Sequence, residues 1–373
     1  MRVNAWNEWD RLTHVIVGRA DNAVIQAEEP AVVRDFPEDG FPRGRYGPMP
    51  AEMVAGASEL LDNFARLLER RGIRVDRPHP LDFSQPVSTP EWTQATMAGC
   101  MPPRDLLITL GHELLEATMS LRSRWHEYLC YRPLIEQYYR EDPQMRWEAA
   151  PKPRLTDASY AENFWEEFDA LSLDEQIERA QRGDLVLTEA EPLFDAADIA
   201  RFGQDLFVQL SLVTNRAGVR WLTQHLPDFR VHDVTFANHN PMHIDATWVP
   251  LRPGLILHCG ARAAGDDLLQ YCKVNDWQVV QAAPPARTPQ TLPPLTYCTP
   301  WLSMNVLSLD EKTVCVESTE TAQMDQLDKL GFEVIPVPLW DVAPFGGGLN
   351  CATTDICREG VKEDYFPRRH GRF

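Results

Sequence analysis

The sequence predicts an α/β fold in which five similar units close into a ring. Two observations carry this expectation. An amphipathic helix, a tight turn and a short strand recur five times along the 373 residues, and hairpin-like strand pairs adjoin several of these units. There is no fixed period, so the recurrence is one of elements and not of sequence. The same alternation of helices and strands also permits an open, doubly wound sheet.

The first unit covers residues 57–77 (ASELLDNFARLLERRGIRVDR) and the second residues 133–150 (PLIEQYYREDPQMRWEAA). The third covers 218–234 (GVRWLTQHLPDFRVHDV), the fourth 266–282 (DDLLQYCKVNDWQVVQA) and the fifth 324–337 (MDQLDKLGFEVIPV). In each, leucines or aromatics recur at helical spacing, and Gly, Pro, Asn or Asp breaks the helix. Residues that suit a pleated strand follow. The hairpins are DLLITLGHELLEA, turning at Gly111, HIDATWVPLRPGLILHC, turning at Pro253 and Gly254, and SMNVLSLDEKTVCVES, turning at Asp310, Glu311 and Lys312.

Two segments interrupt the pattern. Residues 20–50 are rich in Pro, Gly and charge, and residues 151–183 read as a second long excursion. Such loops often cover a site, and an inert surface loop is the equal alternative. No linker separates independent domains, so residues 1–373 are expected to form one domain with these two excursions.

The chain holds 55 acidic against 36 basic residues, a net charge of −19. That field repels phosphate backbones and attracts a small cation, so nucleic acid is not an expected partner. No apolar run approaches the roughly 20 residues of a membrane helix, and no signal-peptide pattern opens the sequence. The eight cysteines, at 100, 130, 259, 272, 298, 315, 351 and 357, include no CxxC pair. Free thiols and a cytoplasmic location follow as expectations.

Polar residues stand near the start of the first hairpin strand in different units: Asp105, His243 and Asp245, Ser303 and Asn305, and Cys351. In a ring these positions converge. Cys351 follows Gly346, Gly347, Gly348, Leu349 and Asn350, and three glycines suit a sharp bend or the close approach of a ligand. The competing reading is a buried cysteine after a flexible loop. His243 and Asp245 are two apart, so on a strand both would face one way, as general acid or base with a carboxylate neighbour. A half-buried structural histidine is the alternative, and no second cluster with ligand spacing completes a metal site. Asp195 and Asp198 follow an apolar run, where capping a helix from Ala196 competes with a site role. No G-x-S-x-G elbow, P-loop or G-x-G-x-x-G fingerprint occurs. A cysteine, a histidine and several aspartates in an acidic protein suit a guanidinium, which bidentate carboxylates hold best.

The ordered blocks NEWDRLTHVIVG, PPRDLLITLGHELLEATMSLRSRWHEYLCYR, APKPRLTDASY, FDAADIARFGQDLFVQ, NPMHIDATWVPLRPG, WLSMNVLSLDEK, GGGLNCATTD and EDYFP run from residue 4 to about 366. With them the chain resembles the L-arginine amidinotransferases. The resemblance implies a five-module α/β-propeller with pseudo-fivefold symmetry. It implies catalytic Cys351, His243 and Asp195, guanidinium-binding Asp105 and Asp245, and Arg262 for the substrate α-carboxylate. Cys298 and Thr299 stand where relatives have two substrate-contacting serines. HCGARAA stands around Arg262 in place of Asn-Pro-x-Arg, and Asn350 in place of His. The implied reaction is ping-pong: L-arginine donates, ornithine leaves, and glycine, lysine or a natural-product amine accepts. No cofactor or metal takes part, and a homodimer is the implied assembly. An arginine deiminase-like hydrolase and a non-catalytic arginine-binding protein are the rival readings.

Overall fold

The structure, a computed structural model, describes residues 2–31 and 46–373. Residues 32–45, the middle of the excursion predicted at 20–50, lie outside the described residues.

All five predicted helix–strand units are present. The helices are Ala51–Arg70, Tyr128–Glu141, Arg216–His225, Asp266–Val274 and Thr321–Lys329. The strands that follow them are Arg74–Asp76, Arg146–Ala149, Arg230–Val234, Gln278–Gln281 and Glu333–Val337. The first helix shows why such segments fold. Ala57, Leu61, Phe64, Ala65 and Leu68 are buried at helical spacing and form one apolar stripe. Each large side chain buried this way is worth about 1.5–3 kcal/mol. The second helix begins five residues before the predicted Pro133. Pro133 is the sixth residue of this helix, so its missing N–H forfeits the bond to the Leu129 carbonyl.

Among the described residues, the strands form five three-stranded sheets and two short two-stranded ladders, and no sheet closes on itself. Every three-stranded sheet has one antiparallel pair and one parallel strand, the latter reached through the unit's helix. In the second sheet Leu107–Leu110 runs antiparallel to Glu113–Glu116, which pairs in parallel with Arg146–Ala149. The third sheet repeats this with Ile199–Phe202, Asp205–Gln209 and Arg230–Val234. The fourth uses Trp248–Arg252, Leu255–His258 and Gln278–Gln281. The fifth uses Leu307–Ser308, Thr313–Glu317 and Glu333–Val337. The first sheet draws on both ends of the chain. Thr353–Glu359 pairs antiparallel with Arg11–Val17, which pairs in parallel with Arg74–Asp76.

A short helical turn precedes the first strand in the second to fifth sheets: Pro103–Leu106, Ala196–Asp198, Ile244–Ala246 and Pro300–Met304. The helix expected from Ala196 is only one such turn, and a hairpin follows it at once. Ile199–Phe202 is strand-forming and fully buried, so sheet packing prevails over the local helical pattern.

The second excursion is folded. It holds the helices Phe164–Asp169 and Leu173–Gln181, the latter opened by a Ser172–Glu175 capping box. Tyr160, Phe164 and Phe168 pack with Ala31, Trp92 and Leu121, and the Trp165 indole donates to the Pro30 carbonyl. Among the described residues, no helix is long and apolar enough to cross a membrane. All eight cysteines are free thiols.

Candidate active site

Segments beside the first strands of the sheets line one cavity of about 250 Å³. It is lined by Asp105 before the second sheet, Asp195 before the third, and His243, Asp245 and Arg262 beside the fourth. Cys298 and Thr299 precede the fifth unit, and Cys351 precedes the strand that completes the first sheet. All eight site residues expected from the sequence therefore border the same space. Ala23, Val24, Ile25 and Met49, from the described part of the first excursion, form part of its wall.

His243 and Asp245 do not lie on a strand, as their spacing predicted. His243 stands just before the turn Ile244–Ala246 with φ +57° and ψ 125°. A non-glycine residue rarely adopts that backbone, and such strain, typically about 1–3 kcal/mol, persists where the surroundings require it. The turn still delivers both side chains to the cavity. His243 Nε2 lies 3.3 Å from Asp195 Oδ2, and Nδ1 lies 3.5 Å from Asp105 Oδ1. The Cys351 thiol donates to Asp245 Oδ2 at 3.3 Å.

The electrostatics follow from burial and an excess of carboxylates. Burial alone would lower the His243 ring, but Asp105, Asp195 and Asp198 outweigh it and raise the ring to about 10. Burial pushes the carboxyls of Asp195 and Asp245 above the usual range. Burial, with Asp245 and Asp105 close by, also pushes the Cys351 thiol well above its ordinary value. Without a ligand, then, the thiol is protonated and the carboxylates outnumber the cations paired with them. One planar cation between Asp105 and Asp245 would relieve both conditions.

Two residues missed from the sequence hold Asp105. Arg124 Nη1 donates to Asp105 Oδ2 at 2.6 Å, and its Nε and Nη2 donate to Glu127 at 2.6 and 3.0 Å. Both residues are buried, and Glu127 is pushed by burial up to about 7. An Arg and a Glu three apart are common on exposed helices, so sequence offered no sign of this pair. Asp198 caps no long helix. It accepts from Gln209, Ser211 and Thr214, and the Thr214 hydroxyl in turn accepts from the Asp195 N–H. Burial raises Asp198 to about 7.

Arg262 donates through Nη1 to the Ala246 carbonyl and the Thr247 hydroxyl, at 3.1 and 2.8 Å. Among the described residues no carboxylate forms an ion pair with it, although it is buried at the cavity wall. Such a guanidinium suits an incoming carboxylate. The Cys298 thiol donates to the Ala343 carbonyl at 3.6 Å, and the Thr299 hydroxyl accepts from the Trp301 N–H at 3.3 Å. Ser303, named among the converging positions, is buried and does not border the cavity.

Asp105, Asp195 and His243 each place a potential ligand atom within 4.8 Å of the others. No second cluster with ligand spacing stands in the sequence, and this grouping arises from tertiary contact between residues far apart in the chain. The donor set nonetheless fits a proton better than a metal. Each ring nitrogen faces its own carboxylate, and a ring held protonated offers no lone pair to an ion.

No protein-family model matches the chain. It is 39% identical over 368 residues to the mitochondrial glycine amidinotransferase of Danio rerio, covering 98% of this chain and 85% of that protein. It is 36% identical over 368 residues to the L-arginine:L-lysine amidinotransferase of Pseudomonas savastanoi pv. phaseolicola, covering 98% and 96%. Among solved structures it superposes on SxtG, an amidinotransferase from Microseira wollei in the saxitoxin biosynthetic pathway. The TM-score there is 0.85, with 36% identity over 98% of this chain and 99% of that one.

Proposed function

The chain belongs to the amidinotransferase family, and from that premise we propose that it moves the amidino group of L-arginine to an acceptor amine through an amidino-Cys351 intermediate. The observation that carries the reading is the meeting of Cys351, His243, Asp195, Asp105 and Asp245 around one small cavity rich in carboxylates. Asp105 and Asp245 hold the guanidinium, and Arg262 takes the α-carboxylate. Cys298 and Thr299 border the same space and complete the substrate contacts. As the cation binds, Cys351 loses its proton to solvent, because a positive charge now stands where only carboxylates stood. The thiolate attacks the central guanidinium carbon. His243, kept protonated by Asp105, Asp195 and Asp198, gives a proton to the departing nitrogen, and ornithine leaves. The acceptor amine returns a proton to His243 as it takes the amidino group, and the thiolate is restored.

No cofactor or metal enters these steps. The five three-stranded sheets are read as the modules of a pseudo-symmetric α/β-propeller in one domain of residues 1–373. Their identical strand order supports this, as does the first sheet, which joins both ends of the chain. A cytoplasmic homodimer is the proposed form, with the free thiols supporting a reducing compartment. Glycine, lysine and a natural-product amine are the acceptor classes to compare.

The test is a screen of these amines with arginine labelled in the guanidino carbon. The expected outcome is ornithine in multiple turnovers only when an amine is present, with the label in the guanidino product. Arginine alone should leave a labelled adduct on Cys351, and Cys351→Ala should reduce turnover to background while arginine still binds. Steady citrulline would replace transfer with hydrolysis. An adduct on Cys298 or Cys357 would move the nucleophile elsewhere.

A further inference from the structure

The loop that carries Cys351 has a partner on the fifth unit. Asn305 ends the turn Pro300–Met304 and is fully buried. Its side-chain oxygen accepts from the backbone N–H groups of Asn350 at 2.8 Å and Cys351 at 3.1 Å. Its side-chain nitrogen donates to Cys351 Sγ at 3.3 Å. The two backbone donors decide which way the amide points. An oxygen must face them, so the NH2 group is left facing the sulfur.

The glycines before Cys351 are shaped by the same contact. A Cβ on Gly348 would stand 2.9 Å from Asn305 Oδ1. A Cβ on Gly347, at φ +153°, would stand 2.5 Å from Cys351 Sγ. Bare backbone at these positions lets the amide and the sulfur meet. Asp245, by contrast, accepts from the thiol and repels its anion. The Asn305 amide and the backbone N–H of Gly348 can both donate to that anion.

We propose that Asn305 is a catalytic residue: its amide donates a hydrogen bond to the Cys351 sulfur as the anion forms and clamps the Asn350 and Cys351 backbone so that the sulfur faces the guanidinium. This rests on Cys351 being the nucleophile. A purely structural Asn305 would need only its oxygen, which binds the loop. The donor on the other side of the amide acts on the reacting atom.

The two roles separate in Asn305→Asp, which keeps an oxygen for the two N–H groups and replaces the donor with a second oxygen. In the full-length enzyme, the pH dependence of Cys351 alkylation by iodoacetamide is followed by peptide mass mapping, alongside the ornithine burst from labelled arginine. The midpoint of alkylation should rise by roughly one to two pH units, the range expected on losing a hydrogen bond to a charged group. The burst at neutral pH should slow by about 10–100-fold, with KM for arginine within about twofold. Asn305→Ala should move the midpoint the same way and also lower Tm. An unshifted midpoint in either folded variant overturns the proposal, even if Tm falls. If neither variant folds, the role is structural and the proposal also fails. Absence of a Cys351 adduct in the wild type would instead remove the reading beneath it.

Discussion

Two buried clusters of charge lie close together in this protein, and they differ in balance. The first joins Glu8, Arg104, Arg201, Asp355 and Arg358. Arg201 binds both Glu8 and Asp355 at 2.5 Å, Arg358 binds Asp355 at 2.7 Å, and Arg104 reaches Glu8 at 3.3 Å. Further N–H groups of the three arginines donate to the carbonyls of Thr109, Ala196, Ile199, Ser308 and Asp10. This cluster ties the N-terminal segment to the second, third and fifth units and to the closing strand of the first sheet. The second cluster is the cavity. There Asp105, Asp195, Asp198, Asp245 and Glu127 outnumber the cations beside them, Arg124 and the His243 ring, with Arg104 and Arg262 acting on Asp245 from beyond ion-pair distance. Against burial, Arg358 and Arg201 hold Asp355 far below the usual carboxylate range. Burial drives Asp195 and Asp245 the other way. Matched charge builds a joint, and unmatched charge leaves room for a cation. Arg104 and Asp105 are adjacent in sequence and serve opposite clusters.

The contrast is sharpened most by His243→Asn. Asn keeps some bulk and hydrogen-bonding capacity but cannot give a proton. The ornithine burst should fall by about 10²–10⁴-fold, read by rapid quench, with arginine affinity little changed. An undiminished burst would leave His243 only a base for the acceptor. The wild-type ring should remain protonated to about pH 10 by NMR. Because its folded value lies above its unfolded one, its contribution to stability is complete below about pH 6.5. That contribution is lost as pH rises through about 10.

Asp355→Ala tests the matched cluster. It strands the Arg358 guanidinium, leaves Arg201 with Glu8 alone, and should cost about 3–5 kcal/mol in denaturant melts. Activity per folded molecule should hardly change. A large loss of kcat with unchanged stability would erase the distinction between the clusters.

Asp245→Asn is the converse and the smallest effect. Losing a charge-assisted contact should weaken arginine binding by about 10–100-fold, equivalent to roughly 1.5–3 kcal/mol, by calorimetry. Stability at pH 7 should hold or rise, because a carboxyl whose folded value lies above its unfolded one loses its stabilising contribution as pH climbs through that value. A fall in Tm with unchanged affinity would make Asp245 structural.

Much of the architecture was legible because it is local. The stripe of Ala57, Leu61, Phe64 and Leu68 and the turns at Gly111 and Gly254 are set by neighbours a few residues away. The site was legible in another way. The glycines before Cys351 and the pair His243 and Asp245 marked candidates, and resemblance joined them to Asp105, Asp195 and Arg262. Spacing misjudged the conformation at His243, whose positive φ depends on packing around it and not on its own propensity.

Helices, hairpins and the excess of carboxylates could be read in advance, since periodicity, turn chemistry and composition belong to the chain before it folds. Which charges are matched depends on how the units pack. Arg104 turns to Glu8 while Asp105 meets Arg124 and His243, and Asn305 reaches a sulfur 46 positions along the chain. Burial raises or lowers a charged group according to what stands within a few ångströms, and that neighbourhood exists only once the units have packed.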